Sequence, residues 1–449
     1  MSDRAGTMDV SGRGAGAFAD EGVRGPRIDA SFLGLVLLAA VLFPRVLTAL
    51  GAPSALNFAH FALAVPCAAL ALPQMREGMA GRVIVTLALL FAVICASALL
   101  NQAGATNAAL DFLLLSEPFL FLLLLVSEPM STRQFTRFRT ATLLFATIHV
   151  LLGLYQGLSG RTNDDVKGVF IGQGAGHHVG GAVALATAAY LLLGHGRAGR
   201  LLLRLGMALG CWMVVVFSDS KQVVAAFVAA LVGVLAVRTR DFRSLALSLA
   251  LGGAALAIAW PLRSEFQVTS MLTEEWRMRG GIEQKASIAP LLASHCDSPA
   301  NWLLGLGPGH TVGRLGSSLL EYRPLLEPLG ATLSPITREA IRLRESSEFS
   351  STHSHTGSSV WSPLFFWAGL IGDLGLLGWA VYLALWTIVW RSICRTALSQ
   401  LLVLSMFVLG IIFAWLEEPG YMLFNVAIIA LEWQSRVRAG WPLTTRSPA

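Results

Sequence analysis

Charge is the scarcest commodity in this chain. Only 13% of its 449 residues are Asp, Glu, Lys or Arg, against about 25% in ordinary soluble domains. Lysine occurs at three positions, Lys167, Lys221 and Lys285. With 55% hydrophobic residues and a mean hydropathy of +0.64, this shortage excludes a disordered chain and a soluble enzyme. Cysteine is sparse as well. Cys67, Cys95, Cys211 and Cys394 sit in or beside apolar runs, and Cys296 alone lies in a polar stretch, so no disulfide scaffold is available. No internal repeat, no basic–aromatic stripe suited to nucleic acid and no Gly-Lys-Ser/Thr nucleotide loop is present. The first residues are Gly- and Arg-rich without an apolar core, and read as a mobile tail instead of a cleaved signal.

What the chain has is long apolar runs. Runs able to cross a bilayer fall at 31–50, 54–73, 82–100, 109–126, 140–158, 178–194, 201–217, 220–237, 244–262, 362–390, 397–415 and 420–434, each near the ~20 residues that a spanning helix needs. The expected fold is therefore all-α: a polytopic transmembrane bundle of about twelve helices. Arginine sets its orientation. Arg76 and Arg82, then Arg133, Arg137 and Arg139, then Arg197, Arg200 and Arg204, then Arg238, Arg240 and Arg243, and finally Arg391 and Arg395 fill alternate short loops. The intervening loops hold only Arg161, Lys167 and Lys221, beside Asp164, Asp165, Asp219, Glu417 and Glu418. Both termini are thus expected in the cytoplasm. The expected layout is a tail at 1–30, nine helices over 31–262, a long outer segment at 263–359, three helices over 360–434 and a tail at 435–449. The outer segment is almost balanced in charge, so any anion site in it must be local. Stretches near 282–294 and 335–348 have helical spacing and are expected as short helices on the membrane surface.

Four polar constellations fall on the outer side. Ser218-Asp-Ser-Lys221 makes a tight hairpin whose cation can hold phosphate or, alternatively, snorkel and pair with Asp219. Arg277 and Arg279, followed by Lys285, carry planar guanidiniums suited to a diphosphate; the alternative is a solvated helix end balanced by Glu274, Glu275 and Glu283. Gly305-Leu-Gly-Pro-Gly309-His310 is a tight turn that serves either as an anion nest or as a plain chain reversal. His353-Ser-His355 can supply a general base, or only a helix cap; as a metal site it offers just two ligands. His177-His178 leads into the sixth helix and borders the same cavity. Arg45, Glu117 and Asp373 lie within apolar helices and must face partners inside the protein.

Taken together, these positions resemble the O-antigen ligase and Wzy-type polysaccharide polymerase family. Lys221 after a Ser-rich hairpin, Arg279 ahead of the Gly305–Gly309 turn, the following histidines and Gly369-Leu-Ile-Gly372 with Gly375-Leu-Leu-Gly378 keep that family's order over about residues 160–390. The chain departs from it in having Lys for the usual Arg at 221, His-Ser-His-Thr where His-Asn is usual, and His178 where the sixth helix often has Asn. The resemblance implies a metal-independent, inverting glycosyl transfer outside the cytoplasm, at a bacterial inner membrane, with no cofactor. The donor would be an undecaprenyl-diphosphate-linked glycan and the acceptor a second glycan or a lipid A-core. Membrane lipids and a chain-length regulator are the further partners, and nucleic acid is not one. In that scheme Lys221, Arg279 and Arg277 hold the diphosphate, His355 or His353 takes the acceptor proton, and Arg161, His178 and His310 line the cavity. Polymerisation of repeat units is preferred over ligation; a secondary transporter is the alternative of another class.

Overall fold

The structure is a computed structural model and describes residues 29–71, 78–161, 163–171, 176–195, 200–238, 282–345 and 362–440. All regular structure among them is helical. Seven helices are long and apolar enough to cross a membrane: α1 (Ala30–Ala49), α3 (Met79–Leu100), α4 (Ala105–Val126), α5 (Thr132–Leu158), α6 (Gly176–Leu193), α8 (Lys221–Arg238) and α14 (Phe366–Ser392). Shorter apolar helices stand among them: α2 (Phe61–Ala71), α7 (Leu201–Phe217) and α15 (Ala397–Ile412). α16 (Pro419–Arg438) ends the described chain. The expected ninth span, 244–262, lies outside the described residues.

Local chemistry explains where these helices depart from the apolar runs. α5 starts at Thr132, ahead of the run, because Ser131 and Gln134 form a reciprocal capping box that lets the helix include an arginine-rich turn. The run at 54–73 is not one helix: a 3-10 turn at Ser54–Phe58 precedes α2, whose 11 residues rise about 16 Å, roughly half of the hydrocarbon core. α14 is interrupted at Gly375, where φ is 67°. α15 stops at Ile412, and the chain runs extended through Phe413 into a 3-10 turn at Trp415–Glu417. α16 outlasts its apolar run at both ends, begun by Pro419 at its first turn and by the Glu418 side chain, which accepts from Gly420 N–H.

α16 is the centre of the bundle. Every residue from Pro419 to Glu432 is buried, and the helix packs against α4, α1, α5, α6 and α15. Gln434 fixes its far end, giving its amide to the carbonyls of Leu125 (2.6 Å) and Glu128 (2.8 Å) and accepting from Met130 N–H (2.9 Å). Lipid offers no hydrophobic gain for helix pairing, so close packing and satisfied polar groups must carry it. The five cysteines are all unpaired thiols.

Residues 282–345 form small helices against one end of the bundle: α9 (Ile288–Ser294), α10 (Pro299–Leu304), α11 (Arg314–Glu321), α12 (Arg323–Leu326) and α13 (Pro335–Glu345). α9 and α13 fall in the two stretches with helical spacing. The Gly305–Gly309 turn, however, is driven into the bundle. Leu306 N–H donates to the Gly372 carbonyl (2.7 Å) and Gly307 N–H to that of Asp373 (3.2 Å), the carbonyls released where α14 breaks. Backbone meets backbone here, and a Cβ on Gly375 would collide with the Leu303 carbonyl.

Candidate functional site

A polar cluster, termed the mouth, forms where α5 passes to α6 and α7 turns into α8. The turn needs a left-handed residue, and Asp219 supplies it at φ 47°. Ser218 and Ser220 are buried with their hydroxyls 2.7 Å apart, and Ser220 Oγ–H donates to the His177 carbonyl (3.1 Å). Gly181 makes this possible, because a Cβ there would strike Ser220 Oγ. Lys221 is the first residue of α8, so its cation sits beside the helix's unpaired N–H groups. Its ammonium donates to Asp219 Oδ2 at 2.9 Å.

Two histidines from the first turn of α6 close the other wall. His177 Nε2 is 3.1 Å from Asp164 Oδ1 in the preceding loop, and its ring centroid is 3.8 Å from that of His178. Lys221 is near enough to act electrostatically on His178, as Lys167 and Asp219 are on His177. Behind His178, Phe413 and Trp415 stack with centroids 4.0 Å apart and planes within 7°; the imidazole centroid is 5.3 Å from the Phe413 ring. His178 Nδ1 is buried and makes no hydrogen bond, so this wall retains unused capacity for a polar ligand.

A second polar group lies further along the 413–418 connection and is held by internal ion pairs and hydrogen bonds, although Arg45 Nε and Glu117 Oε2 make none. Glu418 is buried between two guanidiniums, Arg45 of α1 and Arg314 of α11. Burial opposes its charge, but Arg314 and Arg45 outweigh that and hold the carboxyl below its usual range. Glu417 accepts from Leu315 N–H (3.1 Å) at the start of α11. Burial, with Asp373 nearby, pushes its pKa up to about 8. Asp373 accepts from Gly309 N–H (3.0 Å), Thr311 N–H (2.9 Å) and the Thr311 hydroxyl (2.6 Å). The glycine turn is thus a nest, and the protein's own carboxylate fills it. Glu117 accepts from His60 Nδ1 at 2.6 Å. Arg45, Glu117 and Asp373, which the sequence left without partners, all find them at long range.

Of the residues singled out in the sequence, Lys221 and His178 come together. His310 does not join them; its Nε2 is 2.8 Å from Thr332 Oγ1 beside the glycine turn, and burial lowers its pKa. Arg161 is exposed just beyond α5, and no hydrogen bond or ion pair ties its side chain to either residue. Lys285 turns away from solvent. Its ammonium donates to the carbonyls of Ser362 and Ile412, both at 3.2 Å, and lies 4.5 Å from the Phe365 centroid. Burial brings its pKa down to about 8. Arg277, Arg279, His353 and His355 lie outside the described residues. Among the described residues no group of three His, Cys, Asp or Glu side chains is arranged to hold a metal ion.

Sequence reasoning missed three participants: Asp164 as the His177 partner, the Phe413–Trp415 stack, and Arg314 opposite Glu418. The acidic pair at 417–418, in a chain so poor in charge, was the available signal for the last.

The described residues define an all-helical protein with several helices long and apolar enough to cross a membrane and a polar cluster around the Lys221–Asp219 ion pair. No protein-family model matches the chain, and no curated protein matches it.

Proposed function

We propose that the protein transfers a glycan from a polyprenyl diphosphate carrier to a sugar hydroxyl at the mouth around Lys221. Supporting this reading above all is the placement of Lys221 at the N-terminus of α8, beside two buried hydroxyls and an imidazole with an unused nitrogen. Departure of a lipid diphosphate builds negative charge, and a fixed cation with oriented dipoles stabilises that charge as it forms. In this scheme Lys221 holds the diphosphate, with Arg277 and Arg279 as further anion ligands. His355 or His353 accepts the acceptor proton as the new glycosidic bond forms and the sugar–phosphate bond breaks. The carrier is undecaprenyl diphosphate in a bacterial inner membrane, and polymerisation of repeat units is favoured over ligation to lipid A-core.

The purified chain, reconstituted in liposomes with a lipid-linked repeat unit, is expected to produce longer lipid-linked chains. In a deletion strain, accumulation of single lipid-linked units marks a polymerase, and accumulation of completed lipid-linked chains marks a ligase. The interrupted α14 is the one observation favouring a secondary transporter, since broken helices line many transport sites. Against that reading, the carbonyls released at the break are taken by Leu306 and Gly307. Solute movement without any glycan product would establish the transporter instead.

A further inference from the structure

At the end of the bundle opposite Lys221, arginines from separate elements converge. Arg238 closes α8, Arg395 lies in the turn between α14 and α15, and Arg436 is in the last turn of α16. Arg238 bridges two of these elements, donating from Nε to Gln400 Oε1 (2.8 Å) and from Nη2 to the Arg395 carbonyl (2.7 Å). Arg436 is near enough to both Arg238 and Arg395 for their charges to act on it. Beside them Arg438 donates to Thr132 Oγ1 (2.9 Å) and shares the Phe135 ring with Arg139, their guanidinium carbons 4.8 and 5.2 Å from its centroid.

The acids on adjoining elements are few. Glu432 is buried and engaged by His195, through its N–H at 2.9 Å and its ring, and it also offsets part of the Arg436 charge; Glu128 is exposed just beyond α4. The C-terminal ends of α8, α14 and α16 favour cations, yet Arg238 and Arg395 stay exposed. Helix ends lie at headgroup depth when a helix spans a bilayer. Basic pockets between spanning helices at that depth hold lipid phosphates.

We propose that the meeting point of Arg238, Arg395 and Arg436 is a binding site for the phosphate of an anionic phospholipid headgroup. The site is separate from the mouth at Lys221 and does not depend on what that mouth does. Arginine suits it because its planar fork grips two phosphate oxygens at once.

The test uses the purified full chain in zwitterionic phosphatidylcholine nanodiscs doped with phosphatidylglycerol, with retained lipid counted by native mass spectrometry. The wild type is expected to retain phosphatidylglycerol over phosphatidylcholine, and millimolar inorganic phosphate is expected not to displace it. Removing two charges, in Arg238→Gln/Arg395→Gln, is expected to weaken retention by roughly 30-fold, at about fivefold per arginine. Arg238→Lys/Arg395→Lys keeps the charges and should retain most of the binding, which separates lost charge from lost folding. Arg133→Gln/Arg137→Gln removes the same charge from exposed positions of α5 and should leave retention unchanged. Equal loss in both glutamine variants would show bulk surface attraction and overturn the site. Displacement by inorganic phosphate, or no preference for phosphatidylglycerol in the wild type, would overturn it too.

Discussion

The mouth at Lys221 and the glycine turn filled by Asp373, the pin, are built from the same parts and differ in what they leave unpaired. Each has a glycine that allows a close approach, a break between helices and buried polar side chains. At the pin every acceptor is consumed: Asp373 takes three donors from Gly309 and Thr311, and the Gly372 and Asp373 carbonyls take two more. At the mouth, His178 Nδ1 is buried with no partner, and Asp219, the ammonium's counter-ion, is partly open to solvent. Sequence spacing alone offered the glycine turn and the lysine hairpin as comparable anion sites; the hydrogen bonds separate them.

Mutations should divide along that line, and the largest effect belongs to the saturated side. Glu418→Ala leaves Arg45 buried without its carboxylate and weakens a tie to Arg314, so a loss of about 3–5 kcal/mol in unfolding stability is expected, measured by denaturant titration in detergent. Next comes Gly375→Ala, which forces a side chain onto a left-handed residue against the Leu303 carbonyl. It should cost on the order of 2–3 kcal/mol and expose the glycine turn to hydrogen exchange. Ser220→Ala removes one buried hydroxyl pair and one bond to His177, for about 1 kcal/mol. Lys221→Ala should cost about 1 kcal/mol in the same assay, less than Glu418→Ala, because its partner Asp219 is partly open to solvent. If Lys221→Ala unfolded the protein as readily as Glu418→Ala, the division between pin and mouth would fail.

Glu417 gives the comparison a pH axis. Its pKa is raised from 4.5 to about 8, so the folded state binds this proton more tightly than the unfolded chain does. The resulting stability is complete below pH 4.5 and is lost as pH rises through about 8. Thermal midpoints should therefore fall across that interval, and Glu417→Gln should flatten the slope. An unchanged slope would mean that the carboxyl is not held protonated.

The fold was legible in the sequence as far as composition reaches. Apolar run length gave the membrane class and, of the twelve expected spans, the positions of the seven helices long and apolar enough to cross, and the Ser218–Lys221 hairpin was visible from its polarity between two such runs. What escaped was set by contacts. The capping box at Ser131 extends α5 into residues whose polarity argued against a span. The break at Gly375 depends on a turn that arrives from some seventy positions earlier in the chain. Asp373 and Arg45 announced themselves as buried charges, but their partners come from Gly309, Thr311 and Glu418, at separations that no local pattern encodes. The His177–Asp164 pair was hidden for a milder reason: the acid lies in a loop that sequence alone reads as solvated.

The most direct measurement is glycan extension on a polyprenyl diphosphate carrier by wild-type, Lys221→Ala and Lys221→Arg protein at equal amounts in liposomes. Loss of a charge-stabilising donor should lower the rate of Lys221→Ala by about 100- to 1,000-fold, while Lys221→Arg keeps the cation and retains most of the activity. Extension by Lys221→Ala at the wild-type rate would contradict the assignment of the mouth.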